Sequence, residues 1–114
     1  MVYLLAGPSD TAAIPATVEF VHRSRVERLL ATQADLRAPL IQAAEELVRC
    51  FPADPVVVAV VEGEHANDDH LAIYPKTALD PAEARRRMLA ADAALLEVWT
   101  PDIARRLCVA LEYR

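Results

Sequence analysis

A chain of 114 residues, 54% of them hydrophobic, has the length of one domain and enough apolar material for a core. Its formal net charge of −5 argues against a dedicated nucleic-acid binder, which needs cations to neutralise phosphates. No apolar run approaches the ~20 residues of a membrane helix, and MVYLLAGPSD lacks the basic start and apolar length of a secretory signal, so a cytoplasmic protein is expected.

Residues 1–15 read as an N-terminal arm or an edge strand, with VYLLA extended and GPSDTAAIP a turn and linker. From Ala16 to His22, Val18 and Phe20 alternate with Thr17 and Glu19, which predicts a half-buried strand. Ser24 to Glu27 has the spacing of a capping box. Beyond it Val26, Leu29, Leu30, Leu36, Leu40, Ala44, Leu47, Val48 and Phe51 recur at helical spacing. Pro39 and a second start at Thr32 and Asp35 predict one bent helix or two stacked end to end.

Pro52 and Pro55 end that region. Val56–Glu62 and Leu71–Lys76 then read as the two strands of a hairpin with a long acidic loop. Asp80, Pro81 and Glu83 signal a helix start, and Ala84, Met88, Ala91, Leu95 and Trp99 share its apolar face, with Trp99 a core anchor. Thr100 to Asp102 breaks the helix, and RLCVALEYR alternates as a closing strand.

Strand, helix, strand, strand, helix, strand predicts one α+β domain over residues 16–114. The expected form is a βαββαβ, ferredoxin-like two-layer sandwich with a four-stranded antiparallel sheet and two helices on one face. The other face would then expose apolar side chains. The register leaves open which valines turn outward; the set taken as a partner interface is Val57, Ala59, Val61, Ala72, Tyr74, Cys108 and Ala110. Residues 1–15 folding over that face is the alternative to a partner protein or a second copy.

Glu62, Glu64, His65, Asp68, Asp69 and His70 are the one cluster of ligand-type side chains, suited to a divalent cation or to a solvated hairpin bend. Arg23, Arg25 and Arg28, with Arg85, Arg86 and Arg87, are basic spots open to RNA, a phosphate or a protein partner. Two glycines, Gly7 and Gly63, allow no phosphate loop or dinucleotide fingerprint, so no cofactor is expected. Cys50 and Cys108 read as two buried thiols, where a thiolate is disfavoured.

The segments VEFVHRSRVERLL, LAIYPKTALDPAEARRRM, EVW and LCVALEY resemble a group of short uncharacterised prokaryotic proteins over roughly residues 18–113. The resemblance implies the same element order and the role of an accessory or antidote component beside a toxin or effector. The chain departs from the group in lacking an acidic–aromatic cluster at the helix end, and no catalytic residues carry over. A non-enzymatic protein-interaction module is therefore expected; a metal-binding regulator or metal-dependent enzyme using the 62–70 loop, and an RNA-binding accessory protein, are the other readings.

Overall fold

The computed structural model describes residues 18–65 and 68–114; the expectations for residues 1–17, arm or strand, lie outside the described residues. The chain runs through β1 (Val18–Phe20), α1 (Arg23–Thr32), a 3-10 turn (Ala34–Leu36) and α2 (Arg37–Cys50). It continues through β2 (Val56–Val61), β3 (His70–Thr77), α3 (Pro81–Leu96), α4 (Pro101–Arg106), β4 (Leu107–Val109) and β5 (Glu112–Tyr113).

The long helical region is two helices. Leu29, Leu30, Leu36, Leu40 and Leu47 are all buried, as their spacing predicts. The break falls at Gln33, which caps α1 through its N–H to Leu29 O at 2.8 Å. Pro39 comes to lie in the first turn of α2, where its missing N–H has no helical partner to lose. Thr32 makes no second start, since its hydroxyl donates back to Leu29 O at 2.9 Å. Ser24 is no cap either: α1 begins at Arg23, and its cap position falls two residues before Ser24, on His22, whose φ of 53° puts it in the left-handed region with no side-chain cap.

Asp80 does cap α3, accepting the Ala82 N–H at 3.1 Å, with Pro81 in the first position. Glu83 turns away from the cap to bind Arg86 and Arg87. Ala84, Met88, Ala91 and Leu95 are buried along one stripe. Thr100 to Asp102 ends nothing; it starts α4, with Thr100 Oγ1 accepting the Ile103 N–H at 3.2 Å and Pro101 next.

Strand order is β1-β2-β3-β4. β1 and β2 are parallel, β2 and β3 antiparallel, β3 and β4 parallel, and β5 also runs parallel to β3. The α+β class stands, whereas the antiparallel ferredoxin-like sheet does not. In a split crossover a strand slips between the two that a helix connects. Here α1 and α2 join β1 to its immediate neighbour, and α3 and α4 join β3 to its own. Two unsplit crossovers, which parallel neighbours require, meet at the β2–β3 hairpin.

The closing strand is interrupted at Ala110 and Leu111, and β3 explains the gap. Ile73 O accepts the Ala110 N–H at 3.0 Å. Two residues on, Pro75 turns to the same side a nitrogen without hydrogen, so the ladder resumes only at Lys76 and Thr77.

All helices cover one face of the sheet. Val18, Val56, Val58, Leu71, Ile73 and Leu107 point into that core with Leu30, Leu36, Leu40, Leu47 and Phe51. Val57, Ala59 and Val61 therefore turn to the opposite face, together with Ala72 and Cys108, which sit side by side in register.

Candidate interaction surface

The hairpin loop is held by its own backbone. Gly63 N–H donates to Asp69 Oδ1 at 3.1 Å, and Asp68 N–H to His65 O at 2.9 Å. The chain passes so close there that a Cβ on Gly63 would clash with Asp68 Cβ. Glu62 is taken by Arg25, and His70 Nδ1 lies 3.4 Å from Asp68 O. Glu64 and His65 are exposed. Among the described residues no three His, Cys, Asp or Glu side chains come together as a cation site.

Most of the basic spots are already engaged. Arg23 stacks over Phe20, 4.4 Å from the ring centre. Arg86 and Arg87 both bind Glu83, and Arg87 Nη1 also donates to Cys50 O at 3.1 Å, tying α3 to the C-terminal end of α2. Arg28 and Arg85 are exposed. Arg25 and Arg28 line a cavity of about 440 Å³ with Leu29, Thr32, Gln33, Val60 and Asp69. Its two cations share that wall with Asp69 and neighbour Glu62, which lowers its attraction for an anion.

Neither cysteine is the buried thiol expected. Cys50 is half-buried and Cys108 exposed, and both are free. Burial raises the Cys50 thiol above its ordinary pKa, so it is held protonated near neutral pH.

On the sheet face turned from the helices, Val57 and Ala72 are only 3% and 8% exposed. Val61 is 39% exposed, Cys108 is open, and Ala59, Tyr74 and Ala110 are half-buried. Val57 and Ala72 are closed, and the open positions of that face are Val61 at the end of β2 and Cys108 on β4.

A larger apolar display stands on α3. Leu89 is 62% exposed, Leu96 66% and, just past the helix end, Val98 60%. Leu89 and Leu96 lie two turns apart, beside the buried stripe. Below Leu96 a groove of about 240 Å³ is lined by Asp92, Leu95, Trp99, Ala104, Leu107 and Val109. Trp99 packs against the core, but its buried Nε1–H meets no acceptor among the described residues. Asp92, half-buried, has no cation and no hydrogen-bond donor among the described residues, and burial pushes its carboxyl up.

One side of the groove is braced by a charge cluster. Arg106 donates to Asp35 and Asp102, and to Gln33 Oε1 at 3.1 Å, joining α4 to the 3-10 turn. These hydrogen bonds from Arg106 hold both carboxyls below their ordinary value and raise the Arg106 guanidinium further. A lowered folded pKa stabilises above the unfolded value and is lost as pH falls through the folded one. Melting temperature is accordingly expected to drop below about pH 4, and Arg106→Met to flatten that drop, as thermal scans from pH 7 downward would read.

No helix among the described residues is long and apolar enough to cross a membrane. No family model and no solved structure matches the chain. Over 75 residues the chain is 37% identical to the lipid-A-disaccharide synthase of Sodalis glossinidius, a stretch covering 61% of this chain. It covers 20% of that protein, so the chain spans about a fifth of its length.

Proposed function

We propose that the chain is a non-enzymatic protein-interaction module, of the antidote or regulatory accessory kind, acting through the outer flank of α3 and the groove beside it. The observation that carries this reading is the pair Leu89 and Leu96, 62% and 66% exposed above an apolar groove. Such side chains gather at binding surfaces and cost solubility elsewhere. The sheet face anticipated from the strand pattern is the weaker candidate, because Val57 and Ala72 at its centre are already withdrawn from solvent.

No specific observation favours the metal or RNA readings. The loop carboxylates and imidazoles stand apart, and Arg25, Arg86 and Arg87 are neutralised within the chain. The likeness to a fifth of a lipid-A-disaccharide synthase supplies no site residues, and its activity is not carried here.

Leu96→Glu tests the reading. The wild-type chain should assemble, with itself or with a protein partner, in light scattering and affinity capture. The variant should lose that assembly while keeping its circular dichroism. A wild-type chain that stays alone at every concentration and retains no partner rejects the module.

A further inference from the structure

Read along α3, the outer flank runs Arg85, Leu89, half-buried Asp92, Leu96: cation, apolar, anion, apolar, at steps of four, three and four. That is the spacing of a seam between two helices. Asp92 has no cation among the described residues, and the stripe holds one in Arg85, exposed and two turns away. Within one helix the two cannot meet, being roughly 10 Å apart along the axis. In an antiparallel pair related by a two-fold between Met88 and Leu89, Arg85 of each helix lies opposite Asp92 of the other. The same operation sets Leu89 beside its own copy, about 1.5 Å apart along the axis.

We propose that the chain forms a homodimer in which α3 packs antiparallel on α3 of a second copy, each Asp92 paired with Arg85 across the two-fold. The inference rests on the module reading and names its occupant. The argument for a second copy is this charge complementarity, since the surface carries both members of the missing pair and an isologous interface uses each twice. α3 packs on α2 by its other flank, through Arg87 and the α2 C-terminus, so the stripe faces away from α2.

Sedimentation equilibrium of the full chain is the test. Wild-type protein should dimerise with micromolar affinity, as a small apolar seam allows. Asp92→Arg and Arg85→Asp should each weaken the dimer about tenfold or more by opposing like charges, and the double variant should return to within about threefold of wild type. Leu89→Glu, at an exposed position, should give a folded monomer by circular dichroism.

Three results would overturn the homodimer: a monomeric wild type, a dimer indifferent to both single charge reversals, or a dimer broken by Val61→Glu on the sheet face but not by Leu89→Glu. A monomer that nevertheless holds another protein through Leu96 would end the homodimer and leave the module standing. A monomer that holds none would end both.

Discussion

Replacing Phe51 by Ala is expected to lower the unfolding free energy by about 3–5 kcal/mol, the usual cost of emptying a buried aromatic site. Phe51 is fully buried and caps α2, with its N–H on Leu47 O at 2.8 Å and its carbonyl accepting the Asp54 N–H at 3.2 Å. The ring thus fills the core where the chain leaves the helix layer for β2. The residue before a proline is steered towards extended backbone, so Pro52 fixes the exit and the neighbours have little freedom to collapse into the hole. Against a total of about 5–15 kcal/mol for a domain, the loss takes about a fifth or more and lowers the melting temperature by roughly 12–20 °C. Urea titration with an unchanged slope would confirm it as a stability effect. A variant melting within about 3 °C of the parent would place Phe51 outside the structural centre.

What the chain declares in its sequence is mostly what one element settles alone. Ala84, Met88, Ala91 and Leu95 announce the buried side of α3, and Asp80 with Pro81 its start, because cap and stripe depend on residues within two turns. α4 was equally legible: Thr100, Pro101 and Asp102 at one end and Arg105 and Arg106 at the other repeat the same grammar, though six residues carry too little periodicity to stand out.

Strand order is different in kind. The unbroken apolar run Val56 to Val61 left open which valines turn outward, and nothing in a period of two says whether β1 lies beside β2 or one place away. The left-handed turn at His22 was hidden for a related reason, since the residue is not one whose chemistry advertises positive φ as glycine does. The α3 surface was half visible. Leu89 and Leu96 sit off the Ala84–Leu95 stripe, a departure from amphipathic pattern that marks surplus apolar surface. Asp92 between them could be seen to lack a cation only once the helix stood in its place.

Replacing Thr77 by Val is expected to cost about 1–3 kcal/mol, although it keeps the shape and adds apolar character. Thr77 is a polar side chain with no exposed surface, and its Oγ1 accepts the Leu79 N–H at 3.1 Å. That bond closes a hydroxyl turn between β3 and the cap of α3. Thr77 O meanwhile accepts the Arg114 N–H at 3.0 Å, and the residue pairs with Tyr113 in β5. Val fills the same volume and leaves the Leu79 N–H without its acceptor. Thr77→Ser keeps the acceptor and loses one methyl, worth about 1 kcal/mol.

The order of the two variants is therefore diagnostic. If hydrogen bonding governs the site, Val falls below Ser; if packing governs it, Val matches or exceeds the parent and Ser is worse. Denaturant midpoints of the three proteins decide between these. The consequence reaches α3 itself, because the Thr77 turn sets where Asp80 begins the helix and so where Arg85 to Leu96 face. A Thr77→Val protein should also self-associate less tightly than the Ser variant, without any change to a residue on that stripe.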